Sequence, residues 1–157
     1  MIVVADASPL IALARIGRLD LLVAVFGQLL VPDAVWREVV EAGGYKPGKT
    51  DVADADWIER RSVSDSALVN LLRHDLGAGE AEAIVLAREA NADFILMDER
   101  LGRSAAHSLG LKVVGLVGVL IEARDRGLIT NANEIMDQLH RQAGFWISAE
   151  LRKLVTG

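Results

Sequence analysis

Met1-Ile2-Val3-Val4-Ala5-Asp6-Ala7-Ser8-Pro9 joins an unbroken apolar run to a carboxylate and a helix start. So short a run, rich in Val and Ile, reads as a strand buried on both faces, as in the interior of a parallel sheet. Ser8 is expected as a helix N-cap with Pro9 at the first helical position, where a missing N–H is no loss. Asp6 then ends a buried strand. In open α/β sheets, ligands bind beyond that end.

The pattern recurs. Residues 93–97 form a second apolar strand that also runs into an acid, Asp98. Residues 28–31 and 112–114 read as further strands, and the charged stretch 57–63 as an edge strand. Between them the apolar spacing is three and four: Leu10, Ile11, Leu13 and Ala14 up to Gly17, then Leu19, Leu22, Val23 and Phe26 up to Gly27. A helix from near Asp33 carries Val35, Trp36, Val39 and Val40 and breaks at Gly43-Gly44. A loop with a turn of helix is expected over 45–56, and a short helix around Leu68, Val69, Leu71 and Leu72. The strongest helical pattern spans 79–91. Further helices carry Leu101, Ala105, Ala106 and Leu109, then residues 117–126, then the segment capped by Asn131 with Glu134, and a last one begins near Ser148. Alternating strands and helices predict an α/β fold with a mainly parallel sheet covered on both faces. Parallel order places Asp6 and Asp98 at the same sheet edge.

The 157 residues suit one domain, 1–157, with 128–157 as a helical C-terminal extension. The absence of cysteine rules out disulfides and thiol catalysis. The apolar residues fall in short segments, none long enough to span a bilayer, and no signal peptide is evident, so a cytoplasmic protein is expected. A net charge of −5 argues against a broad basic surface, but a site built from carboxylates and offset by cations would itself contribute negative charge.

A lone acid after a strand is more often a cap or a solvated charge. Glu80 strengthens the functional reading, because Ala83, Ile84 and Ala87 follow at three, four and seven residues, placing it at the head of a buried stripe. Glu82 lies about 200° further round an ideal helix, so it is expected to face solvent or an Arg instead. If Asp6, Glu38, Glu80 and Asp98 converge, each charged pair at 4 Å costs about 4 kcal/mol at an effective dielectric near 20. No Lys neighbours them. A hard divalent cation, Mg²⁺ or Mn²⁺, is the economical counter-charge, and it suits phosphodiester hydrolysis.

These residues resemble those of the PIN-domain family of metal-dependent ribonucleases. The similar motifs are Val4-Ala5-Asp6-Ala7-Ser8, the helix with Val35-Trp36-Arg37-Glu38-Val39, the helix opening Gly79-Glu80-Ala81-Glu82-Ala83-Ile84, and the strand end Ile95-Leu96-Met97-Asp98. The similarity covers roughly residues 1–120. It implies a three-layer α/β/α sandwich, cleavage of single-stranded RNA, and Asp6, Glu38, Glu80 and Asp98 as catalytic metal ligands. It further implies frequent homodimers and, in many prokaryotic members, a toxin whose cognate antitoxin blocks the acidic pocket. The third acid is Glu where the family more often has Asp.

Arg100 and Arg103 are placed to contact phosphate, or to pair with Glu99 or Glu82. Ser8 is placed to bond a metal-bound water as well as to cap its helix. Gly77-Ala78-Gly79 lacks the full dinucleotide-loop pattern, and His74, His107 and His140 lack ligand spacing. Trp36 and Trp57 read as core or interface, and Trp146 as docking the C-terminal helices on the body or on a second subunit. Two other functions compete: a non-catalytic RNA- or protein-binding module of the same fold, and phosphotransfer through an aspartyl nucleophile at Asp6.

Overall fold

The computed structural model describes residues 1–42 and 49–157. The expected break at Gly43-Gly44 and the start of the 45–56 loop lie outside the described residues. Five strands form one parallel sheet: β1 (Val3–Ala5), β2 (Leu29–Pro32), β3 (Ile58–Arg61), β4 (Phe94–Leu96) and β5 (Val113–Val114), in the order β3-β2-β1-β4-β5. The charged strand β3 is at an edge, as its Glu and Arg side chains require.

Both faces of the sheet are apolar, and the two-residue period divides them. Val3 and Ala5, Leu29 and Val31, and Leu96 turn into one core with helices α1 (Ala7–Arg15), α2 (Asp20–Phe26), α8 (Leu116–Asp125), α9 (Ala132–Ala143) and α10 (Ala149–Thr156). Val4, Leu30, Ile95 and Met97 turn the other way, onto α6 (Ala78–Glu89) and α7 (Arg100–Ser108). Outside α6, α5 (Ser66–Leu72) packs through Val69 against Ala81 and Val85. This is the α/β/α sandwich expected. α9 and α10 place Ile135, Met136, Leu139 and Val155 in the same core as the first strand.

Three local readings are corrected. α1 begins at Ala7 with Asp6 as the extended N-cap residue, so Ser8 is not the cap. Pro9 fits inside that first turn because none of the first four helical amides has an intrahelical partner. The helix expected from Asp33 is not one α-helix: α3 (Asp33–Trp36) passes into a π-helical stretch, Arg37–Glu41, where Ala42 N–H donates to the Arg37 carbonyl at 2.6 Å. The short α4 (Lys49–Ala53) is the turn of helix expected in the following loop. Finally, Trp146 is not buried against the body, one of the two places expected for it. Gly144 ends α9 in the left-handed region (φ 65°) and Phe145 N–H donates back to the Leu139 carbonyl at 3.0 Å. With Phe145 half-buried on one side and Ile147 buried on the other, Trp146 is left 70% exposed.

Candidate functional site

Strands β1 to β3 run outward in one direction from the sheet centre, and β4 and β5 in the other. The reversal lies between β1 and β4, which makes the crevice beyond their carboxyl ends the natural binding place of this topology. Asp6 and Asp98 stand on its two sides. Asp6 N–H donates to the Leu96 carbonyl at 3.0 Å and Met97 N–H to the Val114 carbonyl at 2.9 Å. Backbone pairing therefore sets both acids in register.

Asp6 is 3% exposed, the one polar or charged side chain among the described residues that is buried. Its carboxyl is raised from 3.8 to about 7. Burial is the main cause; the Ala7 amide opposes it, and the charges of Glu80, Glu38 and Asp98 push it further up. The four acids singled out from the sequence thus share one electrostatic neighbourhood. Asp98 is raised too, mainly by burial, against the pull of the Leu116 amide and of Arg103.

Each acid is held differently. Asp98 Oδ1 accepts from Leu116 N–H, the first amide of α8, at 2.9 Å, while Oδ2 is buried with no hydrogen-bond partner. Such an orphan acceptor is rare enough to need an explanation, and an ion is one of the few available. Glu80 is the third residue of α6, and its Oε2 accepts from Gly77 N–H at 2.8 Å. That is half of a capping box, since glycine has no side chain to reciprocate. Gly79 brings the start of α6 against Asp6, where an added Cβ would stand 3.6 Å from Asp6 Oδ1. Glu38 is exposed on the π-helical stretch.

Glu82 turns toward an Arg, one of the two expectations for it, rather than to open solvent. Its Oε1 accepts from Ala34 N–H at 3.1 Å, and Oε2 lies 3.9 Å from Arg37. It therefore caps the start of α3, a position with orphan amides and a positive dipole end. Glu82→Ala is expected to lower the melting temperature by about 2–4 °C, the equivalent of about 1 kcal/mol, and to leave metal binding unchanged. Thermal melting and calorimetric titration check this, and a loss of metal binding would move the third acid from Glu80 to Glu82.

Arg103 makes neither expected ion pair. Its Nη1 donates to the Met97 carbonyl at 3.0 Å and its charge lies beside Asp98, while Glu99 caps α7 through Leu101 N–H and Gly102 N–H. Arg100 is exposed and makes no hydrogen bond or ion pair among the described residues, and Ser8 is exposed in the first turn of α1. Gly115 was not anticipated from the sequence. An added Cβ there would fall 2.8 Å from Asp98 Oδ1 and 2.7 Å from Arg103 Nη1, so only glycine lets both approach. Its signal was available: a glycine directly after the last strand, at the same sheet edge as the two aspartates.

Among the described residues, no three acidic or histidine side chains are spaced to close on one ion. Bare carboxylates drawn to ligand distance would cost several kcal/mol per charged pair. The donor set still fits a hard cation: carboxylate oxygens only, two of the carboxyls raised by burial, and one buried oxygen without a partner.

A family model described as PIN domain matches residues 2–156. No curated protein and no solved structure matches the chain significantly.

Proposed function

Because the chain belongs to the PIN-domain family, a family generally of nucleases that use divalent metals, we propose that it is a Mg²⁺- or Mn²⁺-dependent endoribonuclease acting on single-stranded RNA. The observation that carries this reading is the buried, partnerless Oδ2 of Asp98 beside a buried Asp6 whose carboxyl is raised to about 7. Two such acids are stable together only when protonated or when a cation offsets them.

Asp6, Glu38, Glu80 and Asp98 would hold the cation. When bound, it supplies Lewis-acid stabilisation of phosphodiester oxygens and lowers the pKa of water. The chain's own groups do the positioning. Leu116 N–H fixes one oxygen of Asp98 and so aims the other, and Arg103, tied to the Met97 carbonyl, keeps a cation beside that carboxylate. Arg100, exposed at the start of α7, supplies a phosphate contact. Ser8 is close enough in sequence to Asp6 to bond water at the site.

The test is incubation of purified protein with labelled structured and unstructured RNA, with Mn²⁺ and with excess chelator. Cleavage of the unstructured strand, abolished by chelation and restored by added metal, is expected. Equal cleavage in chelator would overturn the reading. The non-catalytic alternative has one observation in its favour, the absence of a preassembled three-acid group among the described residues. Calorimetry separates the two, because a scaffold without a metal role would bind no divalent ion at millimolar concentration.

On the same reading the protein acts in the cytoplasm as a homodimer and as the toxin of a pair whose antitoxin covers the acidic pocket. Sedimentation and co-purification from its own host are the corresponding measurements.

A further inference from the structure

We infer that the cleft beside Asp98 is a nucleobase-stacking subsite for single-stranded RNA, with Trp146 as its stacking face. The inference rests on the nuclease reading above and deepens it.

The cleft has a volume of about 640 Å³, and its walls include Asp98, Arg103, Gly115, Phe145, Trp146 and Leu151. That size falls within the range of about 300–1,000 Å³ of small-ligand sites. Its lining is of two kinds: the acid of the proposed centre with the anchored guanidinium of Arg103, and two aromatic rings with a leucine. Trp146 is the most exposed large apolar side chain of the described residues, and the chain holds it there. Gly144 turns the backbone, Phe145 and Ile147 pack inward on either side, and most of the indole is left in solvent.

Three observations point to a nucleotide. A flat ring and a cation on the wall of one cleft match a base and its phosphate. The cleft shares Asp98 with the acid group, so a strand whose phosphate faces the acids can lay a base on Trp146. With a net charge of −5, the chain has little general attraction for a polyanion, and stacking supplies affinity that phosphate neutralisation does not. A second copy of the chain is a poorer occupant, because it would bury Asp98 and Arg103, whereas the centres of subunit interfaces are depleted in charge.

The probe is a labelled eight-nucleotide oligouridylate, bound in chelator so that no cleavage intervenes, followed by anisotropy and by Trp fluorescence. Quenching is expected in the unmodified protein. Trp146→Ala should weaken binding at least about fivefold and up to about a hundredfold, and Trp146→Tyr should recover most of it. An abasic strand of equal length should bind the unmodified protein and Trp146→Ala alike. Equal affinity of Trp146→Ala for the oligouridylate overturns the subsite. So does conversion of a dimer to a monomer by Trp146→Ala, which would make the face a subunit contact. In either case cleavage with Mn²⁺ still decides the nuclease reading separately. If Mn²⁺ supports no cleavage while the Trp146-dependent binding persists, the subsite stands and the nuclease reading falls.

Discussion

Asp98→Asn is expected to abolish metal-dependent RNA cleavage while leaving the fold intact. The amide oxygen of Asn can accept the Leu116 N–H that now bonds Asp98 Oδ1 at 2.9 Å, so the contact between β4 and the start of α8 survives. The second position changes sign. Where Oδ2 presents a buried lone pair without a partner, the variant presents an N–H₂ donor, which repels a cation instead of holding it. Loss of an outer partner of a metal ligand typically costs about 10–100-fold, so loss of a ligand itself should exceed a hundredfold in kcat/KM. Near-unchanged melting, together with loss of the calorimetric metal signal, separates this from misfolding. Cleavage at the unmodified rate would remove Asp98 from the site and with it the main support for the nuclease reading.

The metal-free protein is expected to lose stability as pH rises from about 4 to about 8. The sign follows from Asp6, whose carboxyl is 3.8 in the unfolded reference and about 7 in the fold. Between those values the folded chain holds a proton that the unfolded chain has released, so stability falls as pH rises. A displacement of that size corresponds to about 4 kcal/mol at about 1.36 kcal/mol per pH unit. Asp98, raised for the same reason, acts in the same direction. Asp33, lowered by Ser62 and Arg60, acts only at more acid pH and in the opposite sense. Denaturant unfolding in chelator at pH 5 and pH 8 measures the slope. Asp6→Asn should flatten most of it, and Mn²⁺ at pH 8 should restore stability by binding the folded state alone. Stability that stays level or rises from pH 5 to pH 8, in both proteins, would contradict the buried and raised state of Asp6.

Together these two experiments bear on the same physical conflict. The fold sets two carboxyls at adjacent strand ends, takes one almost wholly out of water, and leaves an oxygen of the other without a donor. A strand end selected only for stability would have an apolar or neutral hydrogen-bonding residue at Asp6, since a buried carboxylate without a counter-charge is costly to a core.

Much of this was legible in residue order. Short, mostly apolar runs at 1–5, 28–31 and 93–97 read as strands buried in a sheet, and the helical spacing between them points to parallel crossovers as the connection. Asp6 and Asp98 followed, because an acid at the end of such a strand has its address given by the strand. Glu80 followed from its place at the head of a buried stripe. An Arg was expected for Glu82 and Arg37 is there, but most of the contacts around these acids were not legible. Glu82 turned out to cap α3 across 48 positions of chain, Arg103 to bond a carbonyl rather than a carboxylate, and Gly115 to be small because two side chains meet over it.

The difference has a physical origin. Periodicity and strand-end position are properties of neighbours in the chain, so sequence alone determined the α/β order, the parallel sheet and the shared edge of Asp6 and Asp98. Burial and hydrogen bonding depend on groups far apart in sequence, and only the tertiary structure decided that Asp6 would be driven toward neutrality. It likewise decided that one oxygen of Asp98 would be satisfied and the other buried without a partner, and that Trp146 would be held in water on the same cleft.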